Sequence, residues 1–164
     1  MVVDTILFGD CRETLKEFDG KARTCVTSPP YYGLRDYGGE ESQIGQEQTP
    51  EEYIQNLVEV FRSVRDVLTD DGTLWVNIGD SYYNYRPGKG QALPKQTVSK
   101  TKQDLPDKCA KRGNKLEGLK EKDLIGIPWM LAFALRADGW YLRQDIIWHK
   151  PNPMPESVKD RCTK

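Results

Sequence analysis

Between residues 22 and 78 the chain changes its periodicity twice, and few local architectures accommodate that pattern. Ala22 to Thr27 (ARTCVT) is a short β-prone run. Pro29 and Pro30 end it, because each fixes φ and removes a backbone donor, so a ladder cannot continue through them. Thr49-Pro50-Glu51-Glu52 then spells a helix start, with Thr at the N-cap, Pro at N1 and Glu at N3 of a capping box. Ile54, Leu57, Val58, Phe61, Val64 and Leu68 recur at intervals of one, three or four residues and draw a single apolar stripe. Asp70-Asp71-Gly72 reads as the stop, and Thr73 to Ile78 as a second strand. Strand, long helix and strand in that order predict a right-handed βαβ crossover in a parallel sheet. The chain is therefore expected to be α/β, a mostly parallel sheet flanked by helices, and its 164 residues suit one domain.

The flanks extend this reading. Thr5 to Phe8 is a short apolar run ending in Gly9-Asp10, predicted as a strand, and Leu15 and Phe18 sit at helical spacing in the segment from Cys11 to Phe18. Leu34 to Gln48, with Gly38, Gly39 and Gly45, reads as a loop. Asp123 to Ala137 predicts a helix with Pro128 in its first turn, followed by Gly139 at the C′ position. Trp140 to Trp148 predicts a further strand with Ile146, Ile147 and Trp148 as its buried end.

Charge is balanced overall but unevenly placed. Residues 81–122 hold 11 Lys and Arg against 4 Asp and Glu, a local excess of the kind that neutralises phosphates, although a solvated lysine-rich loop would look the same. Asn84 to Lys122 has almost no apolar periodicity and reads as a basic, flexible insertion. Gly88 and Gly90 flank Lys89 there, but no GxxxxGK[ST] follows a strand, which disfavours a phosphate-loop nucleotidase. The cysteines at 11, 25, 109 and 162 lack metal-ligand spacing and read as reduced thiols, and the lone His149 has no partners for a metal site. No apolar run approaches transmembrane length, so a soluble, cytoplasmic protein is expected.

The richest chemistry lies in Thr27-Ser28-Pro29-Pro30-Tyr31-Tyr32-Gly33. A polar side chain, carbonyls that no ladder can use and a stacking face meet there within one turn of chain. The stretch resembles the S/D/N-P-P-Y/F/W motif of the DNA amino-methyltransferases. Gly9-Asp10, Leu74 to Asp80 (LWVNIGD) and Trp140 to Pro155 (WYLRQDIIWHKPNPMP) stand around it in the order of the class whose catalytic half precedes its cofactor half.

That resemblance implies a partial Rossmann-like fold and methyl transfer from S-adenosylmethionine to the exocyclic amine of a flipped base in double-stranded DNA, as part of restriction-modification. By the motif, Ser28, Pro29, Pro30 and Tyr31 form the catalytic set, with Ser28 Oγ and the Pro29 carbonyl accepting from the amine and Tyr31 stacking on the base. Serine at the first position favours cytosine N4, with adenine N6 next. Asp10 would approach the cofactor's adenosine, but the same carboxylate suits a helix N-cap. Asp80 and Tyr82, just past a strand end, are pocket candidates; a polar turn with tyrosines over the sheet edge is the competing reading. Tyr32, Trp148, Lys150 and Asn152 complete the expected base pocket and DNA contacts, and no metal is implied.

The family's cofactor loop, a strand followed by a glycine turn, would come after the KPNP segment, and residues 1–164 contain none there. The expectation is a catalytic half that is weak or inactive alone, with the cofactor part supplied by a longer polypeptide or a second chain. A non-catalytic nucleic-acid-binding module is the alternative, and a protein or RNA methyltransferase with a similar motif is a third reading.

Overall fold

The computed structural model describes residues 4–34, 43–83 and 116–152. Most of the basic stretch at 84–122, Gly38, Gly39, Cys109 and Cys162 lie outside the described residues. In chain order the elements are α1 (Cys11–Thr14), β1 (Ala22–Thr27), α2 (Pro50–Val67), β2 (Leu68–Val76) and α3 (Ile127–Ala137). The fold is mixed α/β, and β1 and β2 pair in parallel with Thr24 opposite Thr73 and Thr27 opposite Val76.

Helix α2 forms as its sequence requires. Thr49 Oγ1 accepts from the Glu52 amide at 3.2 Å while Glu52 Oε2 accepts from the Thr49 amide at 3.3 Å, the reciprocal capping box. The stripe of Ile54, Leu57, Val58, Phe61 and Val64 is buried, and Tyr53 joins it with no exposed surface. Leu74, Val76 and Cys25 from the sheet, and Leu131 and Ile127 from α3, pack against that stripe. Truncating Phe61 to Ala would cost about 3 to 5 kcal/mol by the usual toll of a large core deletion.

Strand β2 starts earlier than its sequence suggests, directly at Leu68. Pairing steps from Ala22–Leu68 to Thr24–Thr73, so two residues of β1 are matched by five of β2. Asp70-Asp71-Gly72 is thus an excursion within the strand. A Cβ at Gly72 would stand 2.8 Å from the Thr69 carbonyl, so only glycine makes the bend without a shift.

Helix α3 ends in a Schellman arrangement: Gly139, at φ 101°, donates to the Arg136 carbonyl at 3.1 Å and Trp140 to that of Leu135 at 3.0 Å. Asp138 at its C-cap is clasped by Arg62 and Arg65 of α2, which hold its carboxyl below the usual range chiefly through the Arg62 hydrogen bond.

Two expected strands do not form. Residues 5–8 and 141–148 lie outside any strand, and their apolar side chains stand in solvent, with Phe8 88% and Ile147 85% exposed. β-prone composition supplies the alternation, but only a paired neighbour satisfies a strand's backbone groups. The outer face of the parallel pair is equally bare, Val26 being 77% exposed. Among the described residues, no helix is long and apolar enough to cross a membrane.

Candidate functional site

The parallel ladder delivers the loop after β1. Its last rung is the Asn77 amide donating to the Thr27 carbonyl at 2.9 Å, and Pro29 and Pro30 then offer no amide for another. From that point the carbonyls separate into two groups. Pro30 accepts from the Tyr53 hydroxyl at 2.7 Å, Tyr31 from the Leu34 amide at 3.3 Å, and Tyr32 from Ser81 Oγ at 3.3 Å. The carbonyls of Ser28 and Pro29, and Ser28 Oγ, have no partner among the described residues, and Ser28 is exposed.

Three elements hold this loop. Tyr53 comes from the first turn of α2, and its ring lies 5.4 Å from that of Tyr32, tilted by 43°. Gly33 donates to the Gly45 carbonyl at 2.8 Å, and Gly45, at φ 96°, lies so close that a Cβ would sit 3.1 Å from the Tyr31 carbonyl. Beyond β2, the Tyr31 ring rests over Gly79, where a Cβ would approach its Cε2 to 3.0 Å. Burial, reinforced by the charges of Glu51, Glu47 and Glu52, pushes the Tyr32 phenol up to about 12, and burial likewise raises that of Tyr53.

Asp80 serves a structural task that its position at the strand end does not announce. Its carboxylate accepts from the amides of Ser81, Gly126 and Ile127, at 2.9, 3.0 and 3.0 Å. The N-cap of α3 is Gly126, which has no side chain to cap with, so Asp80 caps that helix from across the fold. Tyr82 bridges to Leu124 in antiparallel fashion, and Tyr83, Asp123, Ser81 and Ile125 exchange backbone bonds beside it. Asp80 and Tyr82 therefore join the turn after β2 to the start of α3, next to the glycine under Tyr31.

Asp10 is the N-cap of α1, accepting from the Arg12 amide at 2.9 Å, and the Arg12 guanidinium grips the same carboxylate. The Arg12 side-chain hydrogen bond holds the Asp10 carboxyl down to about 2. Both sequence readings of Asp10 stay compatible with an exposed, ionised acceptor. Trp148, Lys150 and Asn152 are exposed and lie outside any helix or strand, and among the described residues no hydrogen bond, ion pair or ring contact joins them to the Ser28–Tyr32 loop. Burial raises the thiol of Cys25, and no cluster that could hold a metal occurs among the described residues.

A cleft of about 500 Å³ lies between the start of α2 and α3, lined by Thr49, Pro50, Glu51, Leu116, Ile125 and Met130 with residues 117–119. Its lining includes none of Ser28 to Tyr32. Tyr53 and Gly79 carry no direct site signal in the sequence, and Gly45 shows there only as a loop glycine. A tyrosine beside a stripe that otherwise carries no polar atom is the one indirect signal that pointed to the first, since a buried phenol needs a partner.

A family model described as DNA methylase matches residues 22–164. The Type II methyltransferase M.Cfr9I of Citrobacter freundii is 52% identical over 161 residues, which cover 98% of this chain and 51% of that protein. M.SmaI of Serratia marcescens, also a Type II methyltransferase, is 52% identical over 165 residues, covering 97% and 52%. M.SfiI of Streptomyces fimbriatus is 39% identical over 156 residues, covering 94% of this chain and 32% of that protein. The chain spans about half the length of the first two relatives. No solved structure matches it.

Proposed function

The chain belongs to the DNA methylase family, and on that premise we propose that residues 1–164 form the base-holding half of a site that methylates the exocyclic amine of a flipped DNA base. One observation carries the reading: within the 27–32 loop, the acceptors left over are those of Ser28 and Pro29, side by side at the end of a parallel strand. An exocyclic amine is a poor nucleophile because its lone pair is conjugated with the ring. Two acceptors that take both its N–H groups turn that lone pair out of conjugation and toward the methyl donor. Alignment of this kind is worth several kcal/mol, on the order of the proximity effects of well-oriented pairs. Tyr31, backed by Gly79, stacks on the base and helps offset the few kcal/mol, roughly, of unpairing and unstacking. Ser28 in first position favours cytosine N4 as target, with adenine N6 next.

S-adenosylmethionine is the cofactor of this reading, supplying an electrophilic methyl group. The described residues fit it at one point, the exposed and ionised Asp10, which would accept from the adenosine once Arg12 turns aside. The remaining contacts come from a further lobe, in a longer polypeptide or a second chain, in keeping with relatives about twice as long. That lobe would complete a Rossmann-like sheet and cover the bare outer face of β1 and β2, since parallel sheets are buried on both faces. Double-stranded DNA is the substrate, with Asp80 and Tyr82 shaping the pocket floor and Trp148, Lys150 and Asn152 its outer wall, in a Type II modification system like that of the relatives. Cytoplasmic placement follows from such a substrate.

The test is transfer of labelled methyl to DNA by a form that includes the cofactor lobe, comparing wild type with Ser28→Ala and Tyr31→Ala. Both variants should lose most transfer, and equal transfer by all three would overturn the assignment. DNA binding that persists with no transfer by any form would favour a non-catalytic binding module. The isolated chain should bind the cofactor very weakly; micromolar binding by calorimetry would contradict the two-lobe reading.

A further inference from the structure

Tyr53 sits in the first turn of α2, fully buried, with its hydroxyl donating to the Pro30 carbonyl at 2.7 Å. Among the described residues this is the shortest hydrogen bond to the loop, and it is made by a side chain anchored in the core beside Ile54, Leu57 and Phe61. Two adjacent proline carbonyls could each face a bound base. The Tyr53 hydroxyl consumes one of them.

We propose that Tyr53 is a positioning residue that chooses the base-facing acceptor: by holding the Pro30 carbonyl inward against α2, it turns the Pro29 carbonyl outward beside Ser28. The inference rests on the base-holding reading of the loop and adds to it the residue that sets the loop's direction. Three facts converge on this. Proline rings hold φ at 29 and 30, so once the Pro30 carbonyl is anchored only ψ of Pro30 separates it from the peptide plane that carries the Pro29 carbonyl, and the choice of direction for that carbonyl is narrowed to one torsion. The hydroxyl is the only polar atom of a side chain otherwise wrapped in apolar neighbours, so its direction is set by packing. Finally, the Tyr53 ring also meets Tyr32, whose carbonyl is held by Ser81, so the clamp acts on both sides of Tyr31.

The experiment uses the 164-residue chain and two fluorescein-labelled duplexes, one with a single bulged cytosine and one fully paired. Wild type should prefer the bulged duplex. Tyr53→Phe, which keeps the ring and removes the hydroxyl, should lose that preference by roughly three- to tenfold, the scale of one misplaced hydrogen bond. Thr49→Ala uncaps the same helix turn without touching the loop, and it should keep the preference at a comparable loss of melting temperature. If Ser28→Ala loses the preference while Tyr53→Phe keeps it, the loop holds the base and Tyr53 does not position it. If Thr49→Ala loses as much as Tyr53→Phe, the effect is helix stability and the inference falls. If wild type shows no preference, the base-holding reading falls and takes this inference with it.

Discussion

Replacing Asp80 tests whether α3 is capped from across the fold. Its carboxylate accepts three amides, those of Ser81, Gly126 and Ile127, and Oδ1 receives all three while Oδ2 receives Gly126 again. A hydrogen bond to a charged group contributes about 1.5 to 3 kcal/mol net, but these three share one carboxylate and chiefly one oxygen, so they do not add in full. The site is half-buried and water can reach the freed amides after truncation, which leaves about 2 to 3 kcal/mol for Asp80→Ala. Asp80→Asn keeps one oxygen where Oδ1 stands and loses the charge at the helix N-terminus, a loss of about 0.5 to 1 kcal/mol. Urea unfolding of the chain should therefore rank wild type above Asp80→Asn above Asp80→Ala, with unchanged m. Indistinguishable midpoints for all three would refute trans-capping, and an Asn variant as weak as the Ala variant would refute the division between acceptor and charge.

Other outcomes follow from the same geometry. Asp10 is held down to about 2 by Arg12, so its contribution is complete above the ordinary carboxylate value near 3.8 and is lost as pH falls through about 2; because the pair is partly exposed, it amounts to about 0.5 to 1 kcal/mol. Arg12→Ala should move the Asp10 titration seen by carboxyl-carbon NMR toward the ordinary carboxylate value, short of it because the amide of residue 12 still donates to the carboxylate, and should flatten the stability curve in that acid window. Tyr32, raised to about 12 by burial, favours the protonated form in the fold, so its contribution is present below pH 10 and lost as pH rises through about 12. Tyrosinate absorbance should show it ionising only as the chain unfolds in alkali, and early ionisation would contradict its packing. Gly79→Ala places a methyl 3.0 Å from the Tyr31 ring and should slow methyl transfer by the two-lobe enzyme while leaving melting within a few degrees, roughly. Wild-type transfer by that variant would show that the ring's seat is unimportant.

Strand β1, helix α2 and the end of β2 were legible because local chemistry and global packing agree there, whereas the start of β2 at Leu68 was not, since Asp70-Asp71-Gly72 reads locally as a stop. A capping box, a proline at N1 and a stripe at helical spacing leave α2 no alternative, and the prolines at 29 and 30 end β1 wherever the chain goes next. The Schellman end of α3 was legible for the same reason, since Gly139 alone tolerates its positive φ without cost. At 5–8 and 140–148 the sequence has strand composition, but composition carries no information on whether a neighbour is present to pair with. The loop's free acceptors were half legible: two prolines guarantee that carbonyls go unpaired by a ladder, but not which ones other groups will take.

What the amino-acid order determined by itself is thus the strand, helix and strand between residues 22 and 78 and the chemical inventory of the Ser28–Tyr32 loop, because caps, periodicity and proline stops act within a few residues; the parallel pairing of the two strands follows from the handedness rule for such units. Only the tertiary structure decided that Tyr53 takes the Pro30 carbonyl, that Gly79 seats Tyr31, and that Asp80 caps α3. Each of those joins residues 23 to 48 positions apart, a separation over which spacing says nothing and packing says everything.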